Sequence, residues 1–233
     1  LEDNYFQSSV IDFDKDRSDR STYKLLGGSI GFYGSTLNTR QYATKGYLEK
    51  LIAQVFTGRE RFEPGNPQEG YSPSPQERQS WLQISYMKEA YHTMGPKFTL
   101  GWMAEALYSS KNFSENYTAT MMQAGEFAPT PHSKLMYNEA FRANQYVAAG
   151  IKPIYVLNDM FQFRTEFYGF TPIFPIKKNA LNKAYYGKAF SRFEYMGEVS
   201  VICHLPFGAI SAYVNHYSSP RREWNVGMTI GWQ

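Results

Sequence analysis

Cysteine occurs once in the 233 residues, at Cys203. A single thiol excludes an internal disulfide and a multi-thiolate metal site. The four histidines, His92, His132, His204 and His216, are scattered, with no pair at i,i+2 or i,i+4 spacing, so no metal site is expected from them. Long apolar runs are missing as well. No stretch approaches the roughly 18 residues that a spanning helix needs, which excludes a helical membrane protein. Excess charge is absent: 24 Lys+Arg against 21 Asp+Glu leave +3, too balanced to imply a nucleic-acid partner. Charged residues amount to 19%, below the roughly 25% of ordinary soluble domains.

Rings are what the chain has in quantity: 19 Tyr, 17 Phe and 4 Trp, or 17% of residues. Disordered chains are poor in aromatics, so a folded chain is expected. Yet mean hydropathy is negative. Alternation reconciles the two. In the closing WNVGMTIGWQ, Trp224, Val226, Met228, Ile230 and Trp232 fall on one face, and small or polar residues fall on the other. A period of two means a strand. At ~3.3 Å per residue and a tilt near 40°, the two tryptophans stand ~20 Å apart along a barrel axis, close to the ~25 Å apolar band between aromatic girdles. The same alternation also fits an edge strand of a soluble sandwich, where a charge or proline would guard the edge.

Similar segments recur at 5–14, 23–36, 46–62, 81–91, 98–108, 145–157, 161–169, 191–203 and 209–215, giving ten strands with the last. Their polar faces carry charges deep within the strands: Lys152, Arg164, Glu166, Arg192, Glu194 and Glu198. Segments of about 10–14 residues exceed the usual soluble strand of about 5–6 and suit a tilted membrane strand. Connections alternate in length. Turns at 94–97, 157–159 and 205–208 are short, 36–45 is intermediate, and 63–77, 111–139 and 174–187 are long. Only 218–222 is short against the trend. Short periplasmic turns and long outer loops are the pattern of outer-membrane barrels. The expected fold is all-β, an antiparallel transmembrane β-barrel, and the expected location is the bacterial outer membrane.

Motifs for chemistry are few. Gly27-Gly28-Ser29-Ile30-Gly31 matches G-x-S-x-G, but it lies in an extended segment with no helix after it and no evident His or Asp partner. A nucleophile elbow needs a strand, a sharp turn and a helix, so Ser29 is not expected to be catalytic. No catalytic residue or cofactor is expected in this segment. The most informative stretch is the end of the longest loop, 138–146, which leads directly into a strand. Arg142 at that loop's base and Glu166 on a nearby polar face form one candidate lumen pair, its fork suited to bidentate contact. Otherwise Arg142 points to water, and Glu166 pairs with Lys152 or Arg192. If Arg142 and Glu166 are partners, alanine substitutions at the two are non-additive.

Several stretches taken together resemble a known family. They are LNTRQYATKG at 37–46, NYTAT at 116–120, FAPTPHSK at 127–134, FRANQY at 141–146, AYYGK at 184–188 and PFGAIS at 206–211. The chain is similar to the C-terminal barrel of Bacteroidetes patatin-like phospholipases, in the bacterial surface antigen superfamily of outer-membrane assembly factors and two-partner secretion transporters. The resemblance implies that the ten strands are the last ten of a sixteen-stranded barrel, with POTRA-type and patatin domains upstream. It implies a barrel that anchors, exports or presents that lipid hydrolase; a passive porin-like channel is the alternative. It implies that loop 111–143 folds into the lumen and presents Arg142, with Ala143 where the family has glycine and Glu166 as acidic partner. Lys45 stands where the family's periplasmic turn has arginine. Expected partners are outer-membrane lipid or lipopolysaccharide, the upstream hydrolase, and a homo-oligomer or larger outer-membrane complex.

Overall fold

The computed structural model describes residues 1–7, 17–66, 78–219 and 224–232. Ten strands form one antiparallel sheet: β1 (Glu2–Tyr5), β2 (Asp19–Ser35), β3 (Gly46–Glu63), β4 (Arg78–Thr93), β5 (Phe98–Ser109), β8 (Gln145–Val156), β9 (Phe161–Pro172), β12 (Glu194–Leu205), β13 (Gly208–Tyr217) and β14 (Trp224–Trp232). Each pairs with its neighbours in that order, so the sheet is a continuous meander. Among the described residues, β1 and β14 do not pair with each other. Two small ladders lie in the connections, β6 (Gly125–Glu126) with β7 (Arg142–Ala143) and β10 (Ile176–Lys178) with β11 (Ala184–Tyr186). Among the described residues one α-helix, α1 (Tyr117–Gln123), starts on Asn116, whose side chain accepts from the Ala119 amide. The expected strand 5–14 falls mostly outside the described residues, as do most of 63–77 and part of 218–222.

The meander places connections 36–45, 94–97, 157–160 and 206–207 at one end of the sheet. Long connections such as 110–144 and 173–193 lie at the other. The short turns close by local chemistry. Asn158 Oδ1 accepts from the amides of Met160 and Phe161 at 3.0 and 2.8 Å, an Asx turn. Gly46 sits at φ +89°, where a Cβ would strike the Thr36 carbonyl, so only glycine closes the β2–β3 connection.

The sheet curls strongly. Ser211 on β13 lies six strand steps from β3, or ~29 Å across a flat sheet at ~4.8 Å per step. Yet Tyr42, just before β3, places its hydroxyl 2.6 Å from Ser211 Oγ. Its carbonyl accepts from Gln162 on β9 at 3.1 Å. Only a sheet bent around the 36–45 connection brings these groups together.

Several strands bury charge inward and expose large apolar side chains outward, unlike the strands of a soluble sheet. On β9 the residues facing the concave side, Gln162, Arg164, Glu166 and Tyr168, are buried, while Phe161, Phe163 and Phe167 on the other side are exposed. On β8, Lys152 is 4% exposed and Ile151 is 52% exposed. On β12, Glu198 is buried and Val199 exposed; on β14, Val226 is 80% exposed. Charged residues are almost never fully buried unless paired, so this arrangement requires partners inside. It also leaves large apolar side chains uncovered on the convex face.

Candidate functional site

Over β8, β9, β12 and β13 the concave face is covered by the 110–144 connection. Phe127 stacks on Phe170 of β9 at 5.9 Å and meets Tyr146 and Tyr168 edge-on. Phe141 packs on Phe170 and on Tyr217 of β13. His132 lies flat on Tyr213, with ring centroids 3.7 Å apart, and its Nε2 contacts the Glu198 carboxylate. One loop thus touches inward residues of β8, β9, β12 and β13.

Beneath the loop, a buried ionic network joins the sheet to the β2–β3 connection. The Arg164 guanidinium donates to Glu166 Oε1 at 2.9 Å and to the Ala43 carbonyl at 2.9 Å. Tyr168 donates to the other Glu166 oxygen at 2.6 Å. Lys152 pairs with Glu89 at 3.1 Å, and Tyr91 donates to the same carboxylate. Arg164 lies over the Tyr42 and Tyr91 rings at 5.7 and 5.8 Å. Two cations balance two anions, and further hydrogen bonds satisfy the pairs, which is what buried charge needs. The contact between β4 and β8 crosses β5, and Gly101 makes room for it. A Cβ there would sit 2.7 Å from the Tyr91 ring and 3.1 Å from Lys152 Cβ. Glycine marks a close approach of neighbours.

Arg142 and Glu166 are both on the candidate site, but they do not pair with each other. Arg142 serves the loop. It donates to the carbonyls of Met122 and Ala124 at 3.0 and 3.2 Å, ending α1, and it pairs with Glu126 at 2.6 Å across the β6–β7 ladder. Burial pushes the Glu126 carboxyl up from the usual carboxylate range, and Arg142 opposes that shift. Glu166 takes Arg164, two residues away on its own strand. The reason is reach: β7 holds Arg142 in register with Glu126, and the unmade carbonyls of α1 lie beside it. Arg142→Ala and Glu166→Ala are therefore expected to add within about 0.5 kcal/mol, checked by urea unfolding of the singles and the double.

The other expected inward residues divide. Lys152, Arg164 and Glu198 lie on the covered face. Glu194 accepts from Ser218 Oγ at 2.6 Å at the strand end. Arg192 precedes β12 rather than lying in it; its guanidinium donates to the Ala140 carbonyl at 2.7 Å and ties down the loop base. Sequence reasoning missed Glu89, Tyr91, Tyr42 and the His132–Glu198 contact. The available signal was Glu89 and Tyr91 two apart on an alternating segment. Ser29 sits in mid-β2 with no helix following it, which leaves no nucleophile elbow.

The convex face carries an aromatic row that runs from mid-β9 to the long-loop end of β14. Phe167, Tyr195, His216 and Trp224 follow one another across β9, β12, β13 and β14, with centroids 5.9, 6.1 and 4.8 Å apart. Trp224 is 71% exposed. Trp232 ends β14 opposite Gly208 in the register. No family model matches the chain, and no curated protein matches it.

Proposed function

We propose that the chain forms the wall of a bacterial outer-membrane β-barrel whose lumen is plugged by its own 110–144 loop. The observation that carries the reading is the reversed polarity of several strands: paired charge on the concave side, uncovered Ile, Val and Phe on the convex side. Only a solvent less polar than water favours that arrangement, because uncovered apolar area of this extent is costly in water. Trp224, at the end of the aromatic row, then lies at one membrane interface, and the far end of β14 at the other. Closure comes from strands beyond the described residues that pair with the free edges of β1 and β14, in a sixteen-stranded wall.

The barrel's role is to anchor, and to export or present, an upstream patatin-like lipid hydrolase. That part rests on the resemblance of the motifs at 37–46, 127–134 and 141–146. A full reading frame without an upstream G-x-S-x-G hydrolase would remove it. The membrane reading is tested by refolding with and without detergent. The chain is expected to fold only with micelles or vesicles and to show a heat-modifiable band on gels. A folded, monodisperse chain in plain buffer would overturn it.

A further inference from the structure

Three cations stand side by side on the convex face, near the long-loop end. Lys24 on β2 is directly opposite Arg59 on β3, and Arg59 is directly opposite Arg78 on β4. All three are exposed. Arg20 and Arg61 adjoin them, and Arg20, Lys24, Arg59 and Arg61 line a shallow depression of about 230 Å³ with Thr22 and Glu63. The nearby acids are already used. Glu63 pairs with Arg61 at 2.8 Å and Arg20 at 3.9 Å, and Glu2 pairs with Arg20 at 2.8 Å. Among the described residues, Lys24, Arg59 and Arg78 form no ion pair, and Arg78 Nε donates only to Thr57 Oγ1 at 3.1 Å. Like charges directly across a strand pair are destabilising, so the row is a cost to the bare sheet.

Towards the short-turn end of the same three strands and the same face, the side chains become apolar. Leu26, Val55 and Leu82 are exposed. A ligand that matches both parts has an anionic head and hydrocarbon tails. We infer that the Lys24–Arg59–Arg78 row, with the adjoining depression, binds the phosphate groups of membrane lipid at the outer rim of the barrel. The inference deepens the membrane reading above and rests on it. Lipid-borne phosphate is the occupant, because free phosphate would gain nothing from the apolar strip.

The test uses the full chain in zwitterionic micelles, titrated with diphosphorylated lipid A as probe. The variant is Lys24→Gln/Arg59→Gln/Arg78→Gln. Removing three cations is expected to weaken binding roughly a hundredfold, at about fivefold each. Millimolar inorganic phosphate is expected not to compete, and dephosphorylated lipid A is expected to bind as weakly as the variant does. Lys177→Gln/Lys178→Gln, at exposed lysines elsewhere, should leave binding unchanged. The triple variant relieves cross-strand repulsion, so it is expected to unfold at higher urea than the parent, which separates lost binding from lost folding. Equal lipid A affinity in parent and triple variant would overturn the inference, as would full competition by free phosphate. Transfer of the parent into zwitterionic bilayers is measured alongside. Failure to enter them would sink the membrane reading and this inference together; entry with unchanged variant affinity would sink the inference alone.

Discussion

Arg164→Ala is expected to lower stability by about 3–5 kcal/mol, because it leaves Glu166 buried without its cation. The loss has three sources in the geometry. Glu166 keeps Tyr168 but loses its ion pair. The Ala43 carbonyl loses its donor, so the 36–45 connection loses one of its ties to β9. Tyr91 loses the guanidinium beside its ring. Arg164→Lys is expected to rescue little, since an ammonium cannot serve the carboxylate and the Ala43 carbonyl in the same fork. The cycle Arg164→Ala with Glu166→Ala should show a coupling above 1 kcal/mol, in contrast to the additive Arg142 and Glu166 pair. Urea unfolding in micelles measures all of these. A loss below about 1 kcal/mol for Arg164→Ala would mean that the network contributes nothing to the fold.

Phe127→Ala carries the second large effect, about 3–5 kcal/mol, from an aromatic removed from a closed core. Phe127 is 1% exposed and stands among Tyr146, Tyr168 and Phe170. Its loss should act on the plug first, because β8 and β9 keep their ladder while the loop loses its deepest anchor. Limited proteolysis is expected to cut the 128–138 stretch faster in the variant. In planar bilayers the parent should conduct weakly and the variant more. A large, steady conductance in the parent would favour the passive channel over the plugged barrel.

Much of the fold was legible because its signal is local. Alternation set the faces of the later strands, and the structure keeps Val147, Ile151 and Tyr155 on one side of β8 and Tyr146 and Lys152 on the other. Ten strands in one antiparallel sheet agree with the count; the first described strand is Glu2–Tyr5, and most of 5–14 lies outside the described residues. The connection lengths also alternate as the sequence suggested. The internal contacts were not legible, since they depend on how far the sheet curls. Nothing in the sequence around Tyr42 says that it meets Ser211, some 169 positions on. Arg142 was misassigned because α1, at seven residues, is too short to show a helical period, and its carbonyls are what the arginine serves. The contacts of His132 with Glu198 and Tyr213 depend on where the loop lies on β12 and β13, which no local pattern encodes.

The central claim, that the convex face lies in lipid, is tested most directly at Ile151. It sits in mid-β8 between Trp102 and Phe167 in the register and is half-exposed. Ile151→Arg is refolded into bilayers and titrated with urea beside the parent chain. A lipid-facing site near the midplane predicts a loss of about 2–4 kcal/mol. A change within about 0.5 kcal/mol, as expected for a surface facing water, would contradict the account.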